Sequence, residues 1–148
     1  MSRKSLGKRE AIVRDTSRIG EISRWQIVAA LTRRGKQLLL PVGDHLRYDL
    51  AIDDEGTFLR VQCKTGRLRN GVISFATCSV DSRSKRGGCV RRSYRGEIEL
   101  FGVYCPENGK CYLVPVEQVG INDCRLRVDP PRNGQKTLIR WAEDYEME

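Results

Sequence analysis

Three features of the 148-residue sequence predict an α/β domain. One helix-spaced stretch lies near the N-terminus between capping signals. A succession of short alternating runs follows, each bounded by Gly, Pro, Asn or Asp, and a second helix-spaced stretch closes the chain. A chain of this length buries enough apolar surface to fold as a single domain, 1–148, without staples.

The first 17 residues form a basic arm, with Arg3, Lys4, Lys8, Arg9 and Arg14 against Glu10 and Asp15. Such an arm suits a solvated tail or phosphate contact. Asp15-Thr16-Ser17 then offers a helix start and Gly35 a stop, which predicts a helix from Arg18 to Arg34. Ile22, Trp25, Ala29, Ile27, Val28 and Leu31 give it a broad apolar side. Glu21 is expected in its first turn, where a carboxylate complements the N-terminal dipole. Leu38 to Pro41 reads as a strand, and Val42 to Arg47 as a loop carrying the lone His45, a surface residue on this reading.

Leu50 and Ile52 alternate with polar neighbours, Asp53-Asp54-Glu55-Gly56 makes a turn, and Phe58 to Thr65 resumes as a strand. Beyond it, Arg67, Arg69 and Asn70-Gly71 form a basic turn, and Val72 to Thr77 is another strand. The segment 82–95 (SRSKRGGCVRRSYR) contains no acid and a glycine pair, so it reads as a basic loop. Glu97 to Tyr104 and Cys111 to Pro115 form a hairpin around Pro106-Glu107-Asn108-Gly109, with Phe101, Val103, Tyr112 and Val114 in the core. Glu97 and Glu99 are expected to pair with arginines. A helical turn at Val116 to Val119, a strand at Cys124 to Val128 and a terminal helix at Thr137 to Tyr145 complete the chain.

The net charge of +8, from 27 Lys and Arg against 19 acids, favours a polyanionic partner through counterion release. Arg67, Arg69, Arg83, Lys85, Arg86, Arg91, Arg92 and Arg95 are the candidates for contact with a nucleic-acid backbone or with guanine edges. No apolar run is long enough for a signal peptide or a membrane span, so a cytoplasmic location with reduced thiols is expected. None of the six cysteines falls in a C-x2-C pair, so zinc is disfavoured and buried thiols are expected.

The chemistry concentrates in the hairpin. Period-two alternation puts Leu59, Val61 and Cys63 on one face of the second strand and Arg60, Gln62 and Lys64 on the other. One face is expected to be core and the other chemistry, with Asp49 at the entry of the first strand. Asp49, the Gln62 side-chain oxygen and the backbone carbonyl of Cys63 are hard donors suited to Mg²⁺. Lys64 could orient or deprotonate a water and offset phosphate charge, the requirements of phosphodiester hydrolysis.

This D-x12-Q-x-K spacing resembles the PD-(D/E)XK nuclease superfamily. With Gly20-Glu21, Pro41-Val42-Gly43, the run Gly96 to Pro106 and Tyr112 to Val116, it is similar to the group I intron-associated homing endonucleases of that superfamily, which carry a Q-x-K variant. The string Arg47 to Gly66 is the most specific part. The resemblance implies a restriction-endonuclease-like α/β core, a mixed sheet flanked by helices. It also implies Mg²⁺-dependent cleavage of double-stranded DNA, Glu21 as an acid assisting at the metal site, and a homo-oligomer, dimer or tetramer. Two departures stand out: Tyr48 replaces the proline of the motif name, and Gln62 removes one negative charge at the metal. Two other readings remain open: a junction-resolving or restriction nuclease, and a noncatalytic DNA-binding module of the same fold.

Overall fold

The structure, a computed structural model, describes residues 15–81 and 90–147. Helix α1 spans Thr16–Arg33, and the Asp15 side chain caps it by accepting from the Ser17 amide at 3.0 Å. It ends where Gly35 adopts φ +75°, with Lys36 N–H donating to the Leu31 carbonyl and Gly35 N–H to that of Thr32. The main sheet begins with β1 (Gln37–Leu39), β2 (Leu50–Asp54) and β3 (Thr57–Thr65). Glu55 and Gly56, at φ 52° and 92°, make the two-residue turn whose twist matches the β2–β3 hairpin. Next come β4 (Arg67–Arg69), β5 (Val72–Ala76), β6 (Cys78–Asp81) and β7 (Val90–Ser93). The chain then returns to the main sheet through β8 (Leu100–Cys105) and β9 (Lys110–Pro115). After a 3₁₀ turn at Val116–Gln118, β10 (Asp123–Arg127) and the short β11 (Glu146–Met147) finish the fold.

The six-stranded sheet runs β1-β2-β3-β8-β9-β11, antiparallel except for the β3–β8 pair. One face carries α1, whose Ser23, Ile27, Ala30 and Leu31 are buried against Leu50, Ile52 and Val61. Ser23 and Thr65 hydroxyls, 2.6 Å apart, bind the helix to the end of β3. Gly102 on β8 allows this approach: a Cβ there would lie 2.8 Å from Ile27 Cγ2. On the opposite face, Phe101, Val103, Tyr112 and Val114 are fully buried with Ile73, Phe75 and Leu126 from the three-stranded sheet β10-β5-β4. Each such side chain contributes about 1.5–3 kcal/mol by leaving water.

Several expectations are corrected. Ile22 and Trp25 are about half exposed, because α1 buries only the stripe at 23, 27, 30 and 31. With α1 starting at Thr16, Glu21 is its sixth residue, beyond the first turn. The segment 90–93 is a strand paired with β6; residues 82–89 of the expected basic loop and residues 1–14 of the arm lie outside the described residues. The terminal helix is absent. Leu138 sits at φ 60° and is exposed, Arg127 N–H donates to the Arg140 carbonyl, and only Ala142–Asp144 winds into a 3₁₀ turn before β11. Cys78, Cys105, Cys111 and Cys124 are buried free thiols, as expected.

Candidate active site

The site forms where β2 begins, beside the second half of β3. Asp49 N–H donates to the Val61 carbonyl at 2.9 Å, and the Cys63 N–H donates to Asp49 Oδ2 at 3.0 Å. Backbone groups alternate along a strand, so the Cys63 carbonyl points the same way as its N–H, past the first residue of β2. Extending the Leu50–Val61 register places Asp49 opposite Gln62. The carboxylate is therefore held level with residues 61–63, and among the described residues no hydrogen bond engages its other oxygen, Oδ1.

Gln62 and Lys64 lie on the face away from α1, beside Phe101 and Val103 of β8. Both are half-buried, so the expected division into one core face and one chemical face does not hold: both faces are packed. The Lys64 ammonium lies 3.4 Å from the Tyr94 hydroxyl and 4.8 Å from its ring centroid. The other side of this neighbourhood belongs to Arg47, whose guanidinium stacks 3.9 Å from the Tyr94 ring. Arg47 also donates to Glu97 at 2.6 Å, to Ser79 Oγ at 2.6 Å and to the Arg92 and Ser93 carbonyls.

Cys63 turns its thiol toward the core beneath α1. Burial pushes that thiol well up from its ordinary value and the Asp49 charge adds to the shift, while Arg24 opposes it. A protonated thiol is no metal ligand, so only the Cys63 carbonyl remains a donor there. Asp49 Oδ1, the Gln62 amide oxygen and this carbonyl are a hard-oxygen set that fits Mg²⁺ chemically. Among the described residues no three His, Cys, Asp or Glu side chains converge as a metal cluster.

Glu21 is exposed on α1, one helical turn before Arg24 and Trp25, which line the same cleft as Asp49. No hydrogen bond or ion pair among the described residues joins Glu21 to Asp49, Gln62 or Lys64. Sequence reasoning missed Arg24, Arg47 and Tyr94. Arg24 carried one available signal, since it shares the helix row of Glu21; the other two are brought in by long-range packing.

The basic candidates divide. Arg69 and Arg91 are exposed without partners among the described residues, and Arg67 lies 3.8 Å from Glu107. Arg92 is held by Glu97 at 2.7 Å, and Arg95 donates to the Val119 carbonyl at 2.7 Å. Arg83, Lys85 and Arg86 lie outside the described residues. Glu97 and Glu99 do pair with arginines. Hydrogen bonds from Arg47 and Arg92 hold the Glu97 carboxyl below its usual range, and Arg60 does the same for Glu99.

A family model of PD-(D/E)XK endonucleases matches residues 14–148. The chain belongs to this family. The six-stranded mixed sheet with α1 on one face is its restriction-endonuclease-like core. Among solved structures, the bacterial homing endonuclease I-Ssp6803I is similar, with a TM-score of 0.70 and 25% identity over 89% of this chain and 88% of that chain. No curated protein matches the sequence. This PD-(D/E)XK protein is thus an endonuclease, and the homing-endonuclease resemblance seen in its motifs extends to its fold. No helix among the described residues is long and apolar enough to cross a membrane.

Proposed function

We propose that the protein is a Mg²⁺-dependent, site-specific endonuclease that hydrolyses phosphodiester bonds in double-stranded DNA. The observation that carries this reading is the 3.0 Å bond from the Cys63 amide to Asp49, which fixes a carboxylate beside the Gln62 side chain and the Cys63 carbonyl. Asp49, Gln62 and the Cys63 carbonyl would hold the cation. When bound, it neutralises phosphate charge and acts as a Lewis acid. Lys64 orients the attacking water and faces the charge that develops on the phosphate. Tyr94 holds its ammonium in the meantime. Glu21, exposed one helical turn before Arg24 and Trp25, assists in placing the water.

Exposed Arg67, Arg69 and Arg91, together with the basic segment 82–89, supply backbone contact to a polyanion, in keeping with the net charge of +8. Duplex DNA presents two strands to be cut, and a homo-oligomer, dimer or tetramer, presents two copies of the site symmetrically.

A plasmid library carrying candidate targets, incubated with Mg²⁺ or with EDTA, tests the reading. Cleavage at a defined sequence in Mg²⁺ alone, lost in Asp49→Ala and Lys64→Ala variants that still bind DNA, is the expected result. A protein that binds duplexes but cuts none of them in any divalent cation would refute it.

A further inference from the structure

Arg24 is the one residue among those described with a buried side-chain nitrogen that lacks a hydrogen-bond partner, its Nε. Its position makes that gap informative. Arg24 lies on α1 and lines a cleft of about 190 Å³ with Trp25, Pro41, Leu46, Tyr48 and Asp49. At roughly 30 Å³ per water, the space admits about six waters, or one tetrahedral anionic group with part of its hydration. The guanidinium sits 5.2 Å from the Trp25 ring centroid, so one flank is braced by an aromatic face. No carboxylate among the described residues comes within ion-pair distance, although Asp44 and Asp49 line the same cleft. A buried guanidinium N–H without an acceptor costs free energy, and native structures retain such a group where an unseen anion or water completes it.

Resting on the nuclease reading above, we infer that Arg24 is a phosphate-binding residue, its Nε–Nη edge donating to a phosphodiester group of the cleaved strand beside Asp49. The edge of an arginine that carries Nε and one Nη presents two parallel donors spaced for two oxygens of one phosphate. Trp25 and the half-buried helix row hold that edge in place, so little side-chain freedom is lost on binding. Lysine at this position would keep the charge and lose the fork.

The test uses the full chain carrying Trp141→Phe, which leaves Trp25 as the sole tryptophan. Inorganic phosphate and the dinucleotide dTpdT are titrated while Trp25 emission is followed, and plasmid cleavage is measured in parallel. A saturable emission change is expected. It should disappear in Arg24→Gln and weaken in Arg24→Lys, with kcat/KM for cleavage falling roughly 10- to 100-fold in Arg24→Gln, the range for losing hydrogen bonds to a charged group. Thermal melting confirms that both variants fold. An Arg24→Gln protein that keeps the emission change and the wild-type cleavage rate overturns the assignment while leaving the nuclease reading intact. An Arg24-dependent emission change in a protein that never cuts DNA leaves phosphate binding at Arg24 standing and removes the cleaved-strand role together with the proposed metal-dependent cleavage.

Discussion

Asp49 has a structural role and a proposed catalytic one, which substitution can separate. Its Oδ2 accepts the Cys63 amide at 3.0 Å, and its charge belongs to the candidate cation site. Asp49→Asn retains a side-chain oxygen in the same place, so the amide keeps its acceptor and stability should move by less than about 1 kcal/mol. Asp49→Ala leaves a half-buried N–H without that acceptor, at a cost of about 1–3 kcal/mol. At about 3 °C per kcal/mol for a chain of this size, the alanine variant should melt about 3–9 °C lower. Both variants lose the charge. If that charge holds a divalent cation worth about 4 kcal/mol to the transition state, each should cut about 10³-fold more slowly. Calorimetry and single-turnover plasmid cleavage read the two effects independently. Cleavage by the asparagine variant within a few-fold of wild type would sink the cation role; equal melting of the two variants would sink the structural one.

Three further outcomes follow from the geometry. Gln62→Glu adds one negative charge beside Asp49 and should lower the Mg²⁺ concentration for half-maximal cleavage by about 5- to 30-fold, the Coulomb gain of a unit charge near a divalent ion in water; a titration of cleavage against Mg²⁺ checks it. Gly102→Ala pushes a Cβ to 2.8 Å from Ile27 Cγ2 and 3.2 Å from Val61 Cγ1, so Tm should fall by about 3–9 °C, read by calorimetry, from overpacking of about 1–3 kcal/mol. Burial pushes the Cys111 and Cys124 thiols from 9.0 to about 11. The unfolded chain then releases these protons first, so stability should be independent of both thiols below about pH 9 and decline from about pH 9 to 11, with Cys111→Ser and Cys124→Ser flattening that limb of a urea-unfolding series.

Much of the fold was legible because its signals are local. Asp15 and Gly35 bracket α1 within two residues of the observed bounds, and the Glu55-Gly56 turn fixes the β2–β3 register that carries the site. The terminal helix failed for the opposite reason. Leu138, Ile139, Ala142 and Tyr145 have helical spacing, but the Arg127–Arg140 backbone bond and the β9–β11 pairing hold that segment extended, and neither partner is near in sequence. Val90 to Ser93 was hidden because its arginines suggest solvent, whereas its pairing with β6 gives it a place in a sheet. At the site, Asp49 and Gln62 were readable from hairpin arithmetic. Arg47 and Tyr94 were not, since they reach Lys64's neighbourhood through tertiary packing alone.

Arg47 makes the segment ahead of Asp49 a strut. Its guanidinium is clamped to Glu97, Ser79 and two carbonyls at the base of the β6–β7 hairpin, and its own backbone stands two residues from the carboxylate. Pulling on that hairpin therefore loads the position of Asp49 directly. On the proposed reading, the surface that contacts DNA and the acid at the cation site are joined by one side chain, so a misfit at the first is transmitted as misalignment at the second.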